Sequence, residues 1–372
     1  MRITLVVDDL RGGGAARVMT LLANHWVSKG WSLSLVTLNQ GQATRHYSLD
    51  PSVAYQDLDY DRLYAGGFPK LRYAGCLKHL RRMLLTTHPD LIVSFLSGVN
   101  VDVLLAMTGC SVPIIVSERN DPRHDPLDSL RKSLRRLLYP RAAFVVVQTR
   151  SVLNSLEPRL QARGRVIPNP VIAVSVSSCH SSKKETRSPA KQLLAMGRLA
   201  PQKGFDTLIG AFGQVSGSYP EWSLVIYGEG LERQRLENLV EANGLRGRVR
   251  FPGSTSTPYE IMHQSDMFVL SSRYEGFPNV LCEAMACGLP VISFDCPNGP
   301  AEIIRNGIDG VRVPNNDEKA LAVALERLMA NENERLSLAM RAPEILERFS
   351  LAKISGLWEE LILQALTPVK KV

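Results

Sequence analysis

Short apolar runs alternate with helical segments along the whole chain, and that rhythm limits the fold more than any other feature. In the first half the runs are residues 3–7, 33–38, 91–95, 114–117 and 143–148, with a shorter one opening at Arg165. Continuous apolar runs of this kind suit strands buried on both faces. Residues 15–27, 71–85, 99–107 and 127–139 between them carry helical patterns. Strand and helix in alternation predict parallel sheets with crossover helices. The second half repeats the scheme, with strands expected at 192–196, 222–227, 249–253, 267–270 and 289–294 and helices at 205–215, 231–243, 320–329, 333–342 and 350–366. Residues 173–191 are rich in Ser, Lys and Pro without apolar periodicity, and read as a linker. With 372 residues, each half has enough chain for its own core. The expected division is 1–172 and 192–349.

The charge is lopsided. The net +8 comes from the first half, where residues 1–172 hold 22 Lys and Arg against 13 Asp and Glu. The remainder holds 22 against 23. A basic first half favours an anionic partner: a lipid surface, a phosphate-bearing acceptor or nucleic acid. Nucleic acid fits least, because the basic helices lack interleaved aromatics and no recognised module appears. The six cysteines form no C-x-x-C pair, so reduced thiols in the cytoplasm are expected. The opening apolar run, broken by Asp8-Asp9, is too short for a signal-peptide core, and no stretch reaches membrane-spanning length.

The chemistry concentrates at strand ends. Arg198 and Lys203 bracket a glycine-bounded loop, Gly197 to Gly204, after a strand. A guanidinium fork and an ammonium point charge at that place suit a diphosphate. Glu275 stands before a short helix in which Pro278 is expected at the first position and Glu283 lies about one turn inside. The amides of Phe277 and Asn279 at the helix start suit an oxygen-rich or anionic ligand. Two acidic residues could simply complement the helix dipole; the intervening Gly-Phe-Pro-Asn argues for more. Gly12-Gly13-Gly14 follows the first strand and lets backbone approach a ligand. Arg119, in Ser117-Glu-Arg-Asn-Asp-Pro122, sits at another strand end, where ligands bind in open α/β sheets. Leu127, Leu130, Leu134, Leu137 and Leu138 form a stripe flanked by Arg131, Lys132, Arg135 and Arg136. That helix is either a packed surface helix with solvated charge or a contact for anionic lipid or the phosphates of a lipid-linked acceptor. The Asp57-x-Asp59-x-Asp61 alternation is read as a solvated strand edge or turn, not a metal site.

Glu275-Gly-Phe-Pro-Asn-Val-Leu-Cys-Glu283 resembles the E-x7-E motif of retaining glycosyltransferase family 4. Gly197-Arg-Leu-Ala-Pro-Gln-Lys-Gly204 resembles that family's diphosphate loop, and Cys296 to Ile304 its G-P-x-E-I segment. Gly13-Gly14-Ala15-Ala16-Arg17 resembles its G-G-A-E-R element, with Ala16 in place of the glutamate. Many relatives carry a histidine where Arg119 stands, with His124 nearby here. The resemblance implies a GT-B fold: α/β, two Rossmann-like doubly wound domains facing a cleft, with residues 350–372 crossing back to the first. It implies donor contacts at Gly13, Gly14, Gly228, Gly230 and Pro252. Sugar hydroxyls would meet Glu275 and the amides of Phe277, Pro278's neighbours and Asn279, and the ribose would meet Glu283. Arg198 and Lys203 would stabilise the leaving diphosphate without a metal. Arg119, Arg131, Lys132, Arg135 and Arg136 would face the acceptor. The activity implied is transfer of a hexose or N-acetylhexosamine from a nucleotide-diphosphate sugar, UDP favoured, to a glycan or polyprenyl-linked acceptor at the inner face of the cytoplasmic membrane, with no cofactor. A sugar-nucleotide epimerase of the same fold, and a non-catalytic nucleotide-sugar or lipid-surface binding protein, are the alternatives.

Overall fold

The computed structural model describes residues 1–42, 45–60, 69–121, 123, 127–173 and 190–367, with the side chains of 69–72 also outside the description. Asp61, His124 and all but the ends of the expected linker therefore lie outside the described residues. The chain divides into two compact units between Pro170 and Val171, and the last helix, from Leu351, counts with the first unit.

The first unit holds a seven-stranded sheet, all parallel. Its strands are β1 (Arg2–Val7), β2 (Ser32–Thr37), β3 (Ala54–Asp57), β4 (Leu91–Phe95), β5 (Ile114–Ser117), β6 (Phe144–Val147) and β7 (Gly164–Val166). Their order, β3-β2-β1-β4-β5-β6-β7, reverses direction between β1 and β4. The strands read as continuous apolar runs because both faces are covered: β4 is buried at every residue. Helices α1 (Gly13–Ser28), α2 (Pro69–Thr86), α3 (Ser97–Ala106) and α4 (Ser129–Leu138) follow β1, β3, β4 and β5. Helix α1 takes in Gly13 and Gly14, two residues earlier than expected, because Gly12 (φ 149°) makes the turn instead. Helix α4 begins at Ser129, where the Asp128 carboxylate caps the Arg131 amide.

The second unit holds a six-stranded parallel sheet in the order β10-β9-β8-β11-β12-β13. These are β8 (Lys191–Met196), β9 (Trp222–Tyr227), β10 (Val249–Gly253), β11 (Met267–Leu270), β12 (Val291–Phe294) and β13 (Val311–Val313). Here the reversal falls between β8 and β11. One face packs under α5 (Phe205–Ser216), α6 (Arg233–Ala242) and α8 (Glu318–Ala330) through Phe212, Trp222 and Leu325. The other packs under α7 (Asn279–Ala286) through Leu281 and Met285, and includes Val171. The final helix, α9 (Leu351–Leu366), lies on the first unit. Its Trp358 ring meets Phe95 at 5.8 Å, and Glu359 bonds Lys29 at 2.8 Å.

Candidate functional site

In a doubly wound sheet, ligands sit beyond the carboxyl ends of the strands where winding reverses. In the second unit that place lies after β8 and β11, and both loops there carry residues singled out from the sequence. The β8 loop runs from Gly197 through a 3-10 turn at Pro201–Lys203 to Gly204, left-handed at φ 60°. The β11 loop runs from Ser271 to Pro278. The two are stitched together along their backbones. Ser271 Oγ donates to Lys203 O at 2.8 Å, Arg273 N to Gln202 O at 2.8 Å, and Gln202 Nε2 to Tyr274 O at 2.9 Å. Arg273 also forks onto Asp206 (2.9 and 3.0 Å) at the start of α5. A Cβ on Gly204 would overlap Ser271 O, so only glycine permits this contact.

The stitching brings the two expected groups into direct contact. Lys203 Nζ lies 2.7 Å from Glu275 Oε1, with side chains 17% and 9% exposed. Arg198, two residues beyond the end of β8, is exposed and forms no ion pair among the described residues. Pro278 stands at the N-cap of α7 and not inside it, so the helix begins one residue later than expected and without a side-chain cap. Phe277 is buried, Asn279 and Glu283 half-buried. Glu283 sits in the first turn and a half of α7.

The paired glycines after β9 have a packing reason within the fold. A Cβ on Gly228 (φ 139°) would overlap Gly197 O, and one on Gly230 would overlap Leu199 O. The β8 loop thus lies where side chains at these two positions would stand. This turn in turn receives β10: Gly228 N donates to Gly253 O at 2.9 Å, and Arg233 reaches Phe251 O at 2.8 Å and Glu229 at 2.6 Å. Pro252 is exposed on that segment. At Gly13 (φ 84°) the opposite holds, since a Cβ there would meet nothing within 4 Å.

In the first unit, Arg119 is 9% exposed at the end of β5. It donates to Asn169 Oδ1 at 2.5 Å and lies over the Phe95 ring at 4.2 Å. Burial lowers its pKa to about 9. The cations of α4 do not form one solvated flank. Arg135 turns inward to the fully buried Glu118 at 3.4 Å, and Arg131 to the buried Asp102 at 3.8 Å. Buried carboxylates need partners, and these two draw half of the expected basic face. Glu118 further accepts from Ser97 Oγ and Tyr139 OH, each at 2.5 Å. Arg136 pairs with Glu157 at 3.0 Å. The leucine stripe is also split: Leu138 is buried and Leu134 half-buried, while Leu130 and Leu137 are 67% and 65% exposed. Lys132 lies on the exposed side.

Asp57 ends the edge strand β3 and accepts from Thr37 Oγ1 and the amides of Gln40 and Gly41. Among the described residues no cluster of three or more His, Cys, Asp or Glu could hold a metal ion, and no helix is long and apolar enough to cross a membrane.

Asn298 lies in the stretch that resembles the G-P-x-E-I segment, but its side chain was given no role there. It is 3% exposed at φ 66°, and neither end of its amide has a hydrogen-bond partner. Its neighbours belong to the site: Pro297 O accepts from Glu275 N at 3.4 Å, and a Cβ on Gly299 would come within 2.5 Å of Pro278 Cδ. Cys296 opens the same segment. Burial, and then the charge of Glu275, push its thiol upward, so it stays neutral.

The two doubly wound parallel units have the fold of the GT-B class, and the family models that match the two halves of the chain are both glycosyltransferase models. Residues 12–173 match the family model described as Glycosyltransferase Family 4, and residues 180–344 match Glycosyl transferases group 1. The chain is 29% identical, over 97% of its length and 98% of the relative's, to a GalNAc-alpha-(1->4)-GalNAc-alpha-(1->3)-diNAcBac-PP-undecaprenol alpha-1,4-N-acetyl-D-galactosaminyltransferase of Campylobacter jejuni. It is 36% identical over 210 residues to an exopolysaccharide phosphotransferase of Streptomyces coelicolor, of whose length that match spans 21%. Anabaena HepE, in a structure with UDP, superposes with a TM-score of 0.79 at 18% identity, covering 98% of this chain and 100% of that one.

Proposed function

We propose that this chain is a metal-independent, retaining transferase that moves a hexose or N-acetylhexosamine from a nucleotide-diphosphate sugar, UDP first, to a glycan or polyprenyl-linked acceptor, forming an alpha linkage. The observation that carries the reading is the pairing of a two-cation loop with a buried carboxylate at the point where the second sheet reverses. As the bond from the sugar to the diphosphate breaks, negative charge grows on the phosphate oxygens. Arg198 and Lys203 meet that charge, so they stabilise the transition state more than the bound donor. Glu275 and the amides at the head of α7 hold sugar hydroxyls, and Glu283 the ribose. Glu275 is held in an ion pair by Lys203, which supports front-face attack, with donor phosphate taking the acceptor's proton, over a covalent glycosyl intermediate on that carboxylate. The first unit takes the acceptor. The name of the Campylobacter relative supports a lipid-linked one.

Thermal unfolding with UDP, GDP and ADP in EDTA tests the donor assignment. A nucleotide at a hundred times its Kd stabilises by about 2.7 kcal/mol, and Arg198→Ala should abolish the shift. No response to any of the three would refute the assignment.

The exposed side of α4 supports peripheral membrane contact: Leu130 and Leu137, two turns apart, share one exposed face that lipid would cover, and Lys132, exposed further round the helix, adds a cation for anionic headgroups. The triple change Leu130→Ser, Lys132→Gln, Leu137→Ser leaves Arg131 and Arg135 on their buried partners. It is expected to reduce partition onto anionic vesicles about tenfold or more, as read by flotation. Unchanged partition would remove this part of the proposal.

A further inference from the structure

We infer that Glu275 competes with the donor's diphosphate for Lys203, and that this competition lets the site prefer an intact sugar nucleotide over the spent nucleoside diphosphate. The inference rests on the glycosyl-transfer reading and adds a role that the reading does not require. Of the two cations in the β8 loop, Arg198 is open to solvent while Lys203 is already held by a carboxylate. A short ion pair that is largely withdrawn from water is a strong internal substitute for a phosphate.

The lysine does not need that carboxylate to stay in place. Its stem lies along Gly197, where a Cβ would meet Cε, Cδ and Cγ at 3.2, 3.3 and 3.4 Å. Its backbone is fixed at both ends, by Lys203 N to Ala200 O at 2.9 Å and by Ser271 Oγ to Lys203 O at 2.8 Å. Removing the charge at position 275 therefore frees the ammonium without displacing it.

When a diphosphate arrives it must share or take Lys203, and Glu275 is left as a poorly solvated carboxylate beside a second anion. An intact donor supplies sugar hydroxyls that donate to that carboxylate. A nucleoside diphosphate supplies none, so the carboxylate's lost partner weakens product and not substrate.

Calorimetric titration in EDTA of wild type, Glu275→Gln, Lys203→Gln and the double variant tests this, using UDP and whichever UDP-hexose or UDP-N-acetylhexosamine binds wild type. Glu275→Gln should bind UDP about tenfold more tightly. The gain should vanish in the Lys203→Gln background, and the sugar nucleotide should not share it, so the preference for intact donor falls about tenfold. Should Glu275→Gln fail to fold, Glu275→Asp keeps the charge on a shorter arm, and UDP should bind it more tightly than wild type by a smaller factor. UDP binding that is unchanged or weaker in both variants would overturn the inference and make Glu275 a support for Lys203. A gain that persists without Lys203 would overturn it too. If wild type binds neither UDP nor, on substitution, GDP or ADP, the glycosyl-transfer reading fails and takes the inference with it; the wild-type titration alone separates that case.

Discussion

Lys203→Ala is expected to lower kcat/KM for sugar transfer by about a thousandfold. Removing one preorganised donor from the place where charge develops usually costs a hundredfold to a thousandfold in rate. Lys203 belongs at the upper end because it is only 17% exposed, and a charge acts more strongly where water is scarce. The change also strands Glu275, 9% exposed, and an unpartnered buried carboxylate destabilises by about 1–3 kcal/mol. Initial rates over a range of donor concentrations, with thermal unfolding of the same sample, read both effects. Lys203→Arg should recover stability more than activity, because a guanidinium fork does not occupy an ammonium's position. A rate loss below about tenfold for Lys203→Ala would place the leaving-group role elsewhere.

The second large effect is on the fold. Gly228→Ala should destabilise the second unit by about 3–5 kcal/mol, adding the overlap with Gly197 O to the strain of a left-handed backbone at φ 139°. The neighbour is main chain, so no rotamer can relieve the overlap. Gly13→Ala is the control. There the backbone is also left-handed, at φ 84°, but the space beyond is open, and only the conformational cost of about 1–2 kcal/mol applies. Denaturant unfolding of the two variants beside wild type should separate them clearly; equal losses would show that backbone conformation, and not contact with the β8 loop, sets the requirement for glycine. The donor-induced shift should shrink in Gly228→Ala, since the displaced loop carries Arg198 and Lys203.

The sequence itself determined the architecture. Its apolar runs lack polar alternation, and a strand that can be buried on both faces has few folds open to it besides a parallel sheet under helices. It also determined which loops carry chemistry, because glycine-bounded segments with cations and carboxylates fall just after strands. Residue-by-residue roles were less legible. At Gly228 and Gly230 the main chain of a loop about thirty residues earlier excludes a side chain, a packing reason that the sequence did not show. The α4 cations looked like one solvated face until Glu118 and Asp102, contributed by other elements, claimed Arg135 and Arg131. Asn298 fell in a recognisable segment, but its buried amide without partners was not legible there, because that is a property of its surroundings and not of its neighbours in sequence. The Lys203–Glu275 contact joins residues 72 positions apart, and only the crossover from β8 to β11 could bring them within 2.7 Å. Periodicity and glycine placement are local and survive in the one-dimensional chain. Which charge meets which is decided by sheet order, and that exists only once the sheet has formed.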